Sequence, residues 1–314
     1  MRLKSEVRDM KIITLTLNPA IDVHCHTHSF RPYKENHCTV TARDCGGKGV
    51  NISRALQDNG VENLAFAVLG QENGADFRNS LIADGMTLRE VFVPGRIREN
   101  ITLHCDDSDE TRISFEGFSV SADLIGRVQD ALDNEIAEGT VVTFTGSNPK
   151  GLSMGDVKAL LRNWTAKGAR IVIDSRSFSL ADLIDMKPWL IKPNQEEISA
   201  YLGREINGFD ELFSVAKDLH EQGIENVMIS LGAQGALLVC SEGTFVARPP
   251  KVDALSTIGA GDSSIAGFVS VADQPASTRL RTAVAFGTAA CLTPGTRPPR
   301  PEDVASILDR ITME

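Results

Sequence analysis

Three common signals are missing from these 314 residues, and each absence closes a class of function. No apolar run approaches the roughly 20 residues of a membrane-crossing helix, so no membrane partner is expected. The six cysteines (Cys25, Cys38, Cys45, Cys105, Cys240 and Cys291) include no CxxC spacing, and the start of the chain has no apolar core of a secretion signal. Reduced thiols in a cytoplasmic protein are the simplest reading. Positive charge is scarce too. The formal net charge is -10, which argues against a nucleic-acid partner and requires any anionic ligand to meet basic residues concentrated locally.

What is present fits a globular α/β chain, with 42% hydrophobic and 24% charged residues. The length suits one large domain over residues 10–314 with a small appendage, and the polar residues 1–9 read as a loose extension ahead of Met10. The run Ile12-Ile13-Thr14-Leu15-Thr16-Leu17 is short, apolar and β-branched, as a buried parallel strand would be, and it stops at Asn18-Pro19. Similar runs recur at 64–69, 141–145, 169–174, 190–191 and 227–231, with 236–239 pairing beside the last. Between them Ile52, Ala55 and Leu56, then Phe77, Leu81 and Ile82, then Val157, Leu160 and Leu161 fall at helical spacing. The alternation predicts a three-layer α/β/α domain with a mainly parallel central sheet and an active site beyond the strands' C-terminal ends. Residues 21–44 and 91–118 break the rhythm and read as short strands of a separate small sheet.

Four turns carry candidate chemistry. In Ser256-Thr257-Ile258-Gly259-Ala260-Gly261-Asp262 the glycines open a helix continued by Ile265, Phe268 and Val269. Free amides at such a helix start hold an anion, and a carboxylate just inside it can take a hydroxyl proton. An aspartate in a first turn is as often a plain cap. Gly46-Gly47-Lys48-Gly49-Val50-Asn51 also precedes a helix; it is neither GxxxxGKS/T nor GxGxxG, and it allows close backbone approach to sugar hydroxyls or merely a flexible helix entry. Lys192-Pro193-Asn194-Gln195-Glu196-Glu197 places Asn194 and Glu197 on one side of a first turn, which suits indirect positioning of magnesium or, favoured on these residues alone, a capping box. Ser230-Leu231-Gly232-Ala233-Gln234-Gly235 is a tight turn between two strands, by default a hairpin.

The order of these motifs, with TLNPAID at 16–22 and TGSNPKG at 145–151, resembles the ribokinase-like (PfkB) carbohydrate kinases, specifically the phosphofructokinase branch, over essentially the whole chain from Met10. The resemblance implies an ATP- and magnesium-dependent kinase of a small phosphosugar, with a β-sheet lid over residues 21–44 and 91–118 that often pairs in a homodimer. By matching position, Asp262 is the expected base, with Gly259, Ala260 and Gly261 as the anion hole. Asn194 and Glu197 form the magnesium-phosphate motif, and Lys192, Ser230, Gly232 and Gly235 contact ATP. On the sugar side stand Asp22, Gly46, Gly47, Lys48 and Asn51, while Arg98, Arg112 and Ser147 receive the substrate's phosphate. The spellings at 16–22, 46–51 and 256–263, with Leu292-Thr293-Pro294-Gly295-Thr296, lie closest to members acting on fructose 1-phosphate; tagatose 6-phosphate and fructose 6-phosphate are the alternative acceptors.

The first lid segment departs from the family spelling, with His37 where arginine is common. On a strand, Asp22, His24, His26 and His28 share one face, but successive steps of about 6–7 Å make three imidazoles awkward as ligands of one zinc ion. The preferred reading is that His24 borders the sugar pocket. A catalytically silent sugar-phosphate sensor has no need of Asp262 with Asn194 and Glu197. A dinucleotide oxidoreductase requires a glycine-rich turn where Asn18-Pro19 stands.

Overall fold

The computed structural model describes residues 10–107 and 109–314; the extension called over residues 1–9 lies outside the described residues. In chain order the elements are β1 (Ile12–Thr16), β2 (Ala20–Thr27), β3 (Thr39–Gly46), α1 (Lys48–Asp58), β4 (Leu64–Gly70), α2 (Gly74–Ala83), β5 (Leu88–Val93), β6 (Arg98–Cys105), β7 (Thr111–Ile113), α3 (Leu124–Leu132), β8 (Val141–Thr145), α4 (Met154–Ala166), β9 (Arg170–Asp174), α5 (Leu180–Met186), β10 (Leu190–Ile191), α6 (Gln195–Leu202), α7 (Phe209–Glu221), β11 (Asn226–Ser230), β12 (Ala236–Cys240), β13 (Gly243–Arg248), α8 (Ala260–Ser270), α9 (Ala276–Ala290), α10 (Pro301–Leu308) and β14 (Thr312–Met313). The large sheet runs β14-β13-β12-β11-β10-β9-β8-β1-β4-β5, parallel from β11 to β5 and antiparallel at its β12–β14 end.

The continuous apolar runs exist because this sheet is covered on both faces. Along β1, Ile13 and Leu15 join the core beneath α2 to α7, while Ile12 turns to the opposite core beneath α1, α8, α9 and α10. Each helix supplies one stripe: Val157, Leu160, Leu161 and Trp164 from α4, and Ile52, Ala55 and Leu56 from α1. Fully burying a side chain of this size stabilises by about 1.5–3 kcal/mol.

The smaller sheet is ordered β3-β2-β6-β7, with β2 and β6 parallel. Its second segment starts later than expected from the sequence. Residues 91–93 complete β5 at the edge of the large sheet, where Val91 and Val93 are buried, so the small sheet resumes only at Arg98. An edge strand half-covered by helices alternates much as a lid strand does, which is why its pattern misled.

Candidate active site

The carboxyl ends of β1, β8 and β9, the starts of α1, α6 and α8, and one face of the small sheet enclose a cleft of about 560 Å³. Asp22, Gly47, Lys48, Asn51, Arg98, Arg112, Ser147, Lys192, Asn194, Glu197, Gly259, Gly261 and Asp262 all line it, though they are spread over 241 positions of sequence.

Two helix starts face each other across the back of the cleft. Gly47, the residue before α1, has φ +131°, and a Cβ there would lie 2.6 Å from Thr16 Cγ2, so the turn into α1 requires glycine. Asn51, one turn into α1, donates from Nδ2 to Asp262 Oδ2 at 2.9 Å. Asp262 therefore does not act as a cap: no side chain among the described residues caps α8. The Ala260 amide is directed at the Thr257 carbonyl, 3.4 Å away, which leaves the next amides of the first turn for a ligand. A Cβ on residue 261 would stand 3.0 Å from Lys192 Nζ, so the ammonium rests close against the helix start.

Charge is tightly balanced here. Lys48 Nζ lies 2.7 Å from the buried Asp174 carboxylate. Burial opposes the Lys48 ammonium, but Asp174, with Asp262 and Glu197, overrides it and raises its pKa. Asp174 is also resisted by burial, yet Lys192 and Lys48 hold it below the usual carboxylate value. Asp262 goes the other way: burial dominates and lifts it from 3.8 to about 6, against the opposing pulls of Lys48 and Asn51. A base that must be ionised is lost as pH falls through this value. We expect kcat/KM to drop tenfold per unit below about pH 6. Because Lys48 lowers the Asp262 pKa, Lys48→Met should move that limb upward. An unmoved limb would assign it to the substrate's own phosphate.

Asn194 and Glu197 do form the capping box that their spacing allows: Glu197 N donates to Asn194 Oδ1 at 2.8 Å and Asn194 N to Glu197 Oε2 at 3.1 Å. They line the cleft in that posture, so the cap and the site are the same object. On the lid, Asp22 Oδ1 accepts from Asn100 Nδ2 at 3.0 Å and from Arg112 Nη2 at 3.2 Å. Arg98 Nη2 reaches the Asn18 carbonyl at 3.4 Å, while its Nε is buried without a partner among the described residues; burial is also what lowers its pKa. Ser147 Oγ accepts from Asn18 Nδ2 at 3.1 Å.

Several expectations fall outside the lining. Gly46 and Ala260 are neighbours of lining residues and not among them. Ser230, Gly232 and Gly235 are not in it; Ser230 pairs with Asn194 by a β-bridge, and the 230–235 turn lies beyond that bridge. His24 is also outside: its ring stacks on His104, with Nδ1 3.2 Å from Nε2, while His26 and His28 both turn to Asp106. These partners on and just past β6 hold the rings, and none of the three histidines lines the cleft. Sequence reasoning missed Asp174, Asn100 and Arg176, which line the cleft. Asp174 ends a recognised strand run, and a carboxylate closing an apolar strand was the available signal.

The sequence matches the model of the pfkB family of carbohydrate kinases over residues 15–303. It is 34% identical to 1-phosphofructokinase of Escherichia coli (strain K12) over 260 residues, 82% of this chain and 83% of that protein. Similarity to 1-phosphofructokinase of Rhodobacter capsulatus is 31% over 314 residues, 97% of this chain and 98% of that protein. Phosphofructokinase-2 from Escherichia coli, solved in complex with substrates and products, is similar in structure with a TM-score of 0.89 at 29% identity, covering 96% of this chain and 99% of that chain.

Proposed function

Since the chain belongs to the pfkB family of carbohydrate kinases, we propose that it transfers the γ-phosphoryl group of ATP to the C6 hydroxyl of fructose 1-phosphate, giving fructose 1,6-bisphosphate and ADP. It is a phosphofructokinase-type phosphotransferase with an alcohol acceptor. The observation that carries the assignment of the base is the buried Asp262 carboxylate, hydrogen-bonded to Asn51 at an uncapped helix start, in one cleft with Arg98 and Arg112.

In this reading the acceptor's sugar ring lies against Asp22, the Gly46-Gly47 backbone, Lys48 and Asn51, with its phosphate on Arg98, Arg112 and Ser147. Asp262 takes the C6 hydroxyl proton as the oxygen attacks phosphorus. The amides of Gly259 and Gly261, with the Lys192 ammonium, hold charge on the transferred group, while the Ala260 amide expected beside them stays with the Thr257 carbonyl. The nucleotide runs from Lys192 and Asn194 outward over the turn of Ser230, Gly232 and Gly235, whose bridge to Asn194 makes the path continuous.

Among the described residues, no group of three or more histidine, cysteine, aspartate or glutamate side chains is placed to hold a metal ion. The donor set fits a magnesium ion held mainly by nucleotide phosphates and water, with Asn194 and Glu197 as its outer partners, as magnesium's tight water shell favours. Bound there, magnesium neutralises phosphate charge. Exposed Val40 and Ile113 on the small sheet and Phe115 just past it support pairing of two copies through the lid. No helix among the described residues is long and apolar enough to cross a membrane, and a cytoplasmic location agrees with the six free cysteines.

A coupled ADP-release assay across fructose 1-phosphate, fructose 6-phosphate, tagatose 6-phosphate and unphosphorylated fructose should rank fructose 1-phosphate first by kcat/KM. A preference for the unphosphorylated sugar would remove the roles given to Arg98 and Arg112.

A further inference from the structure

One cation in the cleft has no role in the mechanism above. Arg176 follows β9 in a turn at the cleft wall, two residues after Asp174. Its side chain is 84% exposed, and its carboxylate contact is Glu197 Oε1, 3.5 Å from Nε. That contact is long for a charge-assisted hydrogen bond, and Glu197 is independently fixed by its capping box, so releasing Arg176 costs the helix start nothing. An exposed ion pair of this kind contributes at most about 1 kcal/mol.

The charge balance says what the guanidinium is for. Around Asp262, away from Arg98 and Arg112, Lys48, Lys192 and Arg176 oppose Asp174, Glu197 and Asp262. Without Arg176 this half of the cleft carries a net negative charge toward an incoming polyphosphate. Lys48 is already committed to Asp174 and Lys192 is buried, so of the three Arg176 is the cation that can reorient. Arginine offers two parallel donors to phosphate oxygens, which lysine cannot.

We propose that Arg176 is a catalytic guanidinium that leaves Glu197 when the nucleotide binds and stabilises the phosphoryl group in transfer. The inference rests on the kinase reading given above. In the step it serves, the sugar oxygen forms a bond to the γ-phosphorus as the bond from that phosphorus to the β,γ-bridging oxygen breaks. The hydroxyl proton passes to Asp262, and ADP leaves with the electron pair on the bridging oxygen. Arg176 meets the charge spread over the γ-oxygens and the leaving oxygen.

Arg176→Ala is expected to lower kcat about 10²-fold at saturating ATP and sugar, with KM for the sugar unchanged. Arg176→Lys should recover a small part, and guanidinium chloride added to the alanine variant should restore turnover in a saturable way. An unchanged kcat, or a rise in KM for ATP alone, would overturn the proposal, since either makes Arg176 a binding or surface charge only. Wild-type turnover of fructose 1-phosphate is the separate check on the sugar. Were it absent while another phosphosugar turned over, the sugar assignment alone would fall, and the Arg176 comparison on that phosphosugar would still decide the guanidinium's role.

Discussion

Asp262→Asn should lose about 10³-fold in kcat while leaving the affinity for the phosphosugar within a few-fold of wild type. The substitution keeps the shape of the side chain and removes the proton acceptor. A loss of sugar binding with unchanged turnover would show that Asp262 holds substrate and does not accept its proton. Linkage supplies an independent readout. The folded-state pKa of Asp262 is raised from 3.8 to about 6, so its ionisation costs the fold stability as pH rises through that window. The cost is on the order of 3 kcal/mol once pH exceeds 6. The neutral asparagine variant should therefore melt no lower than wild type at pH 7, and its advantage should vanish toward pH 4. An inactive variant that melts lower throughout would point to misfolding, whereas an inactive and stable one isolates the chemistry.

Replacing both Arg98 and Arg112 by alanine should cut kcat/KM for fructose 1-phosphate about 10³-fold, at roughly 1.5–3 kcal/mol for each charge-assisted contact. Activity on unphosphorylated fructose, however low, should be unaffected. Arg98 is expected to matter more. It is half-buried with Nε lacking a partner among the described residues, a costly arrangement unless a ligand completes it, whereas Arg112 already has Asp22 at 3.2 Å. Equal losses on both sugars would mean that the pair maintains the lid and does not read the phosphate.

Local chemistry was legible along the chain wherever one segment carries its own instructions. The buried strands show as apolar runs because both faces are covered, and the three helix entries at the cleft are spelled in glycines or in the Asn194 and Glu197 box. The lid boundary was not legible, because β5 alternates at the edge of the large sheet just as a lid strand would. Nor was the path of the histidines: their period of two is clear, but only the partner strand β6 brings His104 to His24.

The sequence by itself determined the layers, the turns and the residue types able to bind phosphate. Only the tertiary structure decided which of them meet. Asn51 reaches Asp262 across 211 positions and Lys48 reaches Asp174 across 126, through strand crossovers that no local pattern encodes. It also decided charge state, since burial raises Asp262 while two lysines depress Asp174, so two aspartates alike in sequence become opposite in chemistry.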